Sequence, residues 1–449
     1  MSKHIVGIVG GACAGAEAAA TLADRGVTVV VFEQNARPFG KIEDGLPRWH
    51  DKQRAQEYDK LREKLSRPNV HFVPMTRMGR DVEFEDLYKK WGFSALLLAH
   101  GAWKDRPLGV PGCDDYVGRG LVYQNAFIYW FNHYPEKAYD GPRFDIHDEV
   151  VVMGGGLASV DVVKILMIES VQRKLAERGI HHDMLTIERR GVFAVLKDHN
   201  LTLEALGIKG CRLYYRRRMI DMPVAAYKEG ATVIERAKTE ETRCKLMRHA
   251  MEKFGFQFFE CHLPTGVLVE DGRMVGLKMV RTEIRDNKVV ELPGTELEVR
   301  GPMVISSIGS IPYPVKGIPM KGEFYTYSNW DTGELNGFPG CYGLGNVVTG
   351  KGNIAVSRRH GKAVAEHVAA AYLGVGSGPL VVKEGVTAAA DAATRAQANA
   401  IADALAGKPA LTDEETARVM EHVRGRQQAV GYDGDYAGWV KRNTPPDLQ

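Results

Sequence analysis

The feature that most constrains this 449-residue chain is a pattern that occurs twice: an apolar run, a glycine turn, a helical stretch and a second apolar run. Residues 4–9 (HIVGIV) lead into GGACAG at 10–15, residues 14–25 form an Ala-rich helical stretch, and residues 27–33 are apolar again up to Glu33. At 149–153 (EVVVM) the pattern returns. GGG at 154–156 turns the chain, 158–178 has helical periodicity, and 184–188 reads as the next strand. Continuous apolar runs suit parallel strands covered on both faces, and strand–glycine turn–helix is the start of a mononucleotide-binding βαβ unit. Two such starts predict an α/β chain with two Rossmann-like dinucleotide-binding domains.

A chain of 449 residues exceeds one ordinary core. Between the two starts, 95–102 (ALLLAHGA) reads as a buried strand entering a glycine turn. RPLGVPG at 106–112 carries the Pro and Gly of an interdomain crossing. MVISSIGS at 303–310 closes the inner unit, and the glycine-rich turn at 342–352 feeds a helix at 355–373. The second domain is therefore placed at 112–309, inserted into a discontinuous first domain of 1–111 and 310–449. Helices near 388–405 and 413–424 form a C-terminal tail. Lys plus Arg number 59 against 56 for Asp plus Glu, a balance that offers no whole-chain attraction for nucleic acid. The N-terminus enters a strand pattern without a signal-peptide core, and no apolar run spans a bilayer, so a cytoplasmic protein is expected. The cysteines (Cys13, Cys113, Cys211, Cys244, Cys261, Cys341) are scattered without a CxxC pair. That pattern argues for reduced thiols, no redox dithiol, no iron–sulfur cluster with clustered ligands and no metal site.

A pyrophosphate needs backbone N–H groups at a helix N-terminus and no side chain in the way. Gly10, Ala12, Cys13, Ala14 and Gly15 supply that turn, with Ala12 in place of the middle glycine. Glu33 ends the next strand, where a carboxylate accepts bonds from ribose hydroxyls. Taken alone, such a turn is only a tight strand–helix junction; the terminal acid makes it a dinucleotide site. The second turn is Gly154, Gly155 and Gly156, followed by Leu157, Ala158 and Ser159. After the expected strand at 184–188 come Arg189 and Arg190, which suit the 2′-phosphate of NADP, while Glu188 favours the bare ribose of NAD. NADP is the expected cofactor there, with NAD left open; the bland alternative is a solvated arginine pair.

YQNAFIYWFNHYP (123–135), VVMGGGLASVDVVKIL (151–166), IERRG (187–191) and SSIGSIPYPVKGIP (306–319), in this order, resemble adrenodoxin reductase and the bacterial ferredoxin–NADP reductases similar to it. Glutamate synthase small subunits belong to the same wider group. The resemblance extends to about residue 373 and covers the tail poorly. It implies FAD in the discontinuous domain and NAD(P)H in the inserted one. The implied function is electron transfer between NADPH and a one-electron iron–sulfur carrier such as ferredoxin. FGKIEDGLPRWH (39–50) matches the family's flavin-side segment, which assigns Gly40 and Lys41 to the cofactor and His50 to the catalytic region. Gly101 joins the cofactor set. Asp161 matches the acid on the second helix, and Glu204 a second active-site acid. Gly345, Asn346, Gly352, Asn353 and Ile354 match the late turn over the flavin. Asn346 departs from the family, whose reductases carry Trp there and whose glutamate synthase subunits carry Asp. Three alternatives stay open: an electron-input subunit of a larger redox complex, a flavin enzyme reducing an organic substrate, and a catalytically silent dinucleotide-binding module. The basic runs at 216–218 and 358–360 are candidate docking cations or plain solvated faces, and Trp103 and Trp130 read as core or interface.

Overall fold

The computed structural model describes residues 3–228, 230–350, 353–375 and 408–445. The helix expected at 388–405 and Gly352 lie outside these residues. The elements that matter below are, in chain order, β1 (Ile5–Val9), α1 (Cys13–Ala23), β2 (Thr28–Phe32), β3 (Val70–Val73), β4 (Ala95–Leu98), β5 (Leu121–Tyr123), β6 (Val151–Gly154), α2 (Leu157–Ala176), β7 (Arg212–Tyr214) and β8 (Gln257–Phe259). They continue with β9 (Val304–Ser307), β10 (Tyr327–Asn329), β11 (Glu334–Leu335), β12 (Cys341–Gly343), α3 (Ile354–His367), α4 (Asp413–Ala429) and α5 (Tyr436–Arg442). The chain divides into two compact units. One is Met1–Glu43, Lys52–Lys104 and Ile311–Gln449; the other is Asp44–Asp51 and Asp105–Ser310.

The first unit is built on a seven-stranded sheet in the order β10-β11-β12-β4-β1-β2-β3. β1 runs parallel to both β2 and β4, from Ile5 opposite Thr28 to Val9 opposite Phe32, and from Val6 opposite Ala95 to Val9 opposite Leu98. Chain order reverses at β1, so the carboxyl ends of β1 and β4 flank a topological switch point, where open parallel sheets bind ligands. The TVVVF run of β2 has its last four residues buried because both faces of the sheet are covered. Val6, Ile8, Val29 and Val31 pack with the alanines of α1 in one cluster, while Val9, Val30, Phe32 and Leu96 belong to another. The small side chains of α1 admit α3 closely: a Cβ on Gly361 would lie 2.4 Å from the Ala14 carbonyl oxygen.

The second unit holds a five-stranded parallel sheet, β5-β9-β6-β7-β8, and a four-stranded antiparallel sheet spanning 262–300. Two expectations fail here. Residues 184–188 are not a strand: Met184–Arg190 is a helix, capped by Asp183, whose carboxylate accepts the Thr186 N–H at 2.8 Å. The place beside β6 belongs to β7, with Val151 opposite Arg212 and Met153 opposite Tyr214. Met-Leu-Thr-Ile-Glu is too short for its apolar run to separate strand from helix, and the Asp cap with Gly191 at the far end decides for helix. Residues Asp44–Asp51, which the sequence leaves with the N-terminal stretch, also fold into the second unit. Trp49 is buried against Phe131 there, ring centroids 5.2 Å apart, and Asn132 Nδ2 donates to the Leu46 carbonyl at 3.1 Å.

Candidate functional sites

In the first unit a cavity of about 510 Å³ opens at the switch point, lined by Gly10, Ala12, Glu33, His100, Trp103 and Arg77 among others. The turn after β1 is crowded against protein on its inner side. Gly10 has φ +102°, and a Cβ there would sit 2.6 Å from the Ala99 carbonyl oxygen; one on Gly15 would sit 1.8 Å from the Gly10 oxygen. Only glycine lets α1 start this close to β1. Ala12, the irregular member, is accommodated by Gly40, whose own Cβ would come within 2.8 Å of the Ala12 methyl. Ala12 is the N-cap of α1 and Cys13 its first residue. Burial pushes the Cys13 thiol up to about 11, which removes it as a nucleophile. Glu33 is buried directly after β2, and its carboxylate oxygens accept the N–H groups of Gly11 (2.8 Å) and Asn35 (3.1 Å).

Lys41 sits 5.4 Å over the Trp103 ring, and Gly101 turns the chain between β4 and that indole with φ +74°. Trp103 thus lines the cavity, contrary to its reading as core or interface, whereas Trp130 is core. Sequence reasoning passed over His100. Its Nε2 lies 2.9 Å from the Tyr325 hydroxyl, which itself donates to the Tyr313 carbonyl at 2.7 Å; Nε2–H is therefore the donor to Tyr325. Burial lowers the His100 pKa to about 4, so the ring stays neutral. Its signal was the polar residue inside ALLLAHGA. The late turn lies in the same unit. Gly345 N–H donates to His360 Nδ1 at 2.8 Å, and Asn346 Oδ1 accepts the Ser357 hydroxyl at 3.2 Å. Asn353 caps α3 by accepting the Val356 N–H, with Ile354 the first helical residue. Of the basic run 358–360, only Arg359 remains a surface cation: Arg358 pairs with Glu57, and His360 is the acceptor just described.

In the second unit the glycines divide by what they face. A Cβ on Gly154 would lie 2.4 Å from the Ser307 carbonyl oxygen, and one on Gly155 2.1 Å from the Tyr215 ring, but one on Gly156 would meet nothing within 4 Å. Gly156 is the N-cap of the 20-residue α2, so this open position lies at the positive end of a helix dipole. Leu157 and Ala158 follow at the helix start; Ser159 is fully buried and donates its hydroxyl to the Gly156 carbonyl at 2.7 Å.

Arg189 and Arg190 are not at a strand end. They close the Met184–Arg190 helix, Arg189 pairing with Asp51 at 3.2 Å and Arg190 with Asp198 at 2.6 Å. The strand next to β6 ends at Tyr214 and is followed by Tyr215, Arg216, Arg217 and Arg218. Tyr215 lies against Gly155 and donates its hydroxyl to the Asp221 carbonyl at 3.2 Å. Arg218 forks onto the Asp221 carboxylate at 3.0 and 3.1 Å, and Arg217 bonds the Asn287 carbonyl at 3.0 Å. Arg216 is exposed, and its side chain has no ion pair or hydrogen bond among the described residues. LYYRRR carried this signal in the sequence, but IERRG competed with it.

Asp161 and Lys164 stand one turn apart on α2. Lys164 bonds Glu188 at 2.8 Å and lies 4.5 Å over the Trp49 ring. Burial raises the Asp161 carboxyl to about 7, with Lys164 opposing and Glu188 reinforcing the shift. His50 follows Trp49 directly, ring centroids 6.0 Å apart. Glu204 is exposed on a one-turn helix, Glu204–Leu206. Among the described residues no His/Cys/Asp/Glu group is fit for a metal ion, and no helix is long and apolar enough to cross a membrane.

Residues 8–52 match the NAD(P)-binding Rossmann-like domain family. The chain is 24% identical over 362 residues to the mitochondrial NADPH:adrenodoxin oxidoreductase of Arabidopsis thaliana, covering 72% of each protein. It is 23% identical over 409 residues to the glutamate synthase [NADPH] small chain of Mycobacterium tuberculosis, covering 85% of this chain and 70% of that one. Against two further relatives the matching stretch spans less than half of the other protein. Its fold is that of Mycobacterium tuberculosis FprA in complex with NADPH, with TM-score 0.64 at 18% identity over 95% of this chain and 90% of that one. In sequence and fold the chain thus resembles the adrenodoxin reductases, FprA and the glutamate synthase small chains.

Proposed function

From that resemblance as premise, we propose that the chain is a FAD-dependent oxidoreductase that takes electrons from NADPH and passes them singly to a small iron–sulfur carrier such as ferredoxin. The observation that carries this reading is that two separate units each present a dinucleotide cradle at the start of a helix beside a parallel strand. The first cradle fits FAD. The cavity beside Gly10 and Ala12 leaves room for a pyrophosphate, and Glu33 stands where the adenosine ribose hydroxyls find an acceptor. The second fits NADPH. Gly156 offers an unobstructed helix N-terminus, and Arg216, beyond β7, offers an uncommitted guanidinium to the 2′-phosphate. Bound flavin supplies two-electron acceptance and one-electron release, chemistry the protein's own side chains lack. Asp161, held near neutrality, can keep or release a proton at its carboxyl within the physiological range. His50 and Lys41 are assigned positioning roles on the same reading, Glu204 none.

A second reading, an electron-input subunit of a larger complex, is favoured by the match to the glutamate synthase small chain over 85% of this chain. One experiment separates them. The purified protein should be yellow, release FAD on heating, be reduced anaerobically by NADPH and then reduce ferredoxin in isolation. A colourless protein that takes up no FAD overturns both readings; turnover only with a co-purifying subunit selects the second.

A further inference from the structure

The motifs that carry the sequence resemblance end near residue 373, and the C-terminal tail beyond them is fastened to both faces of the first unit's sheet at its β3 edge. Val419 and Val423 of α4 are buried in the cluster with Phe32 and Val73, while Tyr436, Trp439 and Val440 of α5 belong to the cluster on the other face with Phe72. Gln427 Nε2 donates to the Phe72 carbonyl at 2.8 Å. Three further hydrogen bonds reach loops that form the walls of the dinucleotide cavity. Arg426 Nε donates to the Thr76 hydroxyl at 2.9 Å and Nη2 to the Met75 carbonyl at 3.0 Å, with the Asp81 carboxylate 3.5 Å away. Trp439 Nε1 donates to the Ala36 carbonyl at 2.8 Å.

These loops flank Glu33. The Thr76 N–H donates to the Glu33 carbonyl at 2.8 Å, and Thr76, Arg77 and Met78 line the cavity beside Gln34. Met75 holds a left-handed backbone, φ +49°, uncommon for a side chain of its size, and Arg426 grips its carbonyl. A loop in that conformation persists only where its surroundings over-determine it. We propose that α4 and α5 are a clamp on the adenosine side of this cavity. Arg426 and Trp439 are its positioning residues, fixing the two loops between which Glu33 meets the ribose of FAD. The inference rests on the FAD reading above and adds a determinant of cofactor retention that lies outside the nucleotide-binding βαβ unit.

The test uses full-length apoprotein titrated with FAD and, separately, with FMN, which lacks the adenosine half. Arg426→Gln and Trp439→Phe should each weaken FAD binding about tenfold or more, the loss of one or two hydrogen bonds, and leave FMN binding unchanged. The FAD-to-FMN affinity ratio therefore drops. Arg426→Lys, which keeps charge but not the fork, should fall between. Trp439→Phe keeps an aromatic side chain in the α5 packing while removing the indole N–H, and it gives an independent reading if Arg426→Gln fails to fold. Wild-type FAD affinity in these variants, or equal losses for FAD and FMN, overturns the clamp. Wild-type apoprotein that binds no FAD at all overturns the underlying reading instead.

Discussion

Replacing Arg216 by alanine should separate the two candidate phosphate sites in the second unit. Arg216 stands just beyond β7 with an exposed side chain that bonds no described residue, so its removal should leave the melting temperature unchanged. A guanidinium that meets a 2′-phosphate makes charge-assisted hydrogen bonds worth roughly 1.5–3 kcal/mol, or ~10- to 150-fold in affinity at about 1.4 kcal/mol per decade. NADH lacks the phosphate and should bind Arg216→Ala as it binds wild type. Arg189 and Arg190, in contrast, end a helix in exposed pairs with Asp51 and Asp198, and surface pairs contribute little to stability. Their double alanine variant should change neither stability nor cofactor preference appreciably. The assay is steady-state reduction of an artificial dye with NADPH and NADH varied in turn, supported by equilibrium binding of 2′,5′-ADP. If Arg216→Ala weakens both cofactors equally, or if the Arg189/Arg190 variant selectively loses NADPH, the assignment of the phosphate to the β7 end is refuted. The effect should shrink as ionic strength rises, since this cation is open to solvent.

Three further outcomes follow from the geometry. Gly156→Ala should keep the melting temperature within a few degrees while lowering NADPH affinity at least about tenfold, because its Cβ would meet only a ligand; Gly154→Ala should destabilise the fold through the Ser307 carbonyl. Equal stability losses in both would refute a ligand-facing Gly156. Asp161 has a folded pKa raised from 3.8 to about 7, so the native state holds a proton that the unfolded chain has lost. Its penalty should grow as pH rises from about 4 to about 7 and then level off. The melting-temperature advantage of Asp161→Asn over wild type should follow that curve, and a pH-independent difference would refute it. Burial works against charge on His133, but Asp44 at 3.1 Å and Glu136 at 2.6 Å raise its pKa above 6.5. The tie it makes to Asp44 should be complete below about 6.5 and weaken as pH rises through the raised value. Hydrogen exchange at 44–51 should accelerate over that range in wild type and not in His133→Gln; identical pH profiles would count against it.

The two βαβ starts could be read from the chain because their information is local. Apolar runs long enough to be covered on both faces, and glycines forced by a carbonyl oxygen within 3 Å, leave marks in adjacent residues. The Gly10–Gly15 turn and Glu33 are of this kind, and Glu33 stands at the end of β2 where its place in the pattern puts it. What the sequence could not settle was which distant segment completes each sheet. Residues 184–188 and 212–214 are both short apolar runs near arginines, and local propensity does not rank them. Only the pairing of Val151 with Arg212 does so, aided by an Asp cap that makes 184–190 a helix. The same holds for Asp44–Asp51, drawn into the second unit by the burial of Trp49, and for the tail, whose Arg426 reaches Thr76 across 350 positions of sequence. Strand neighbours and long-range hydrogen bonds depend on which surfaces bury together, and that is a property of the whole folded chain rather than of any window along it.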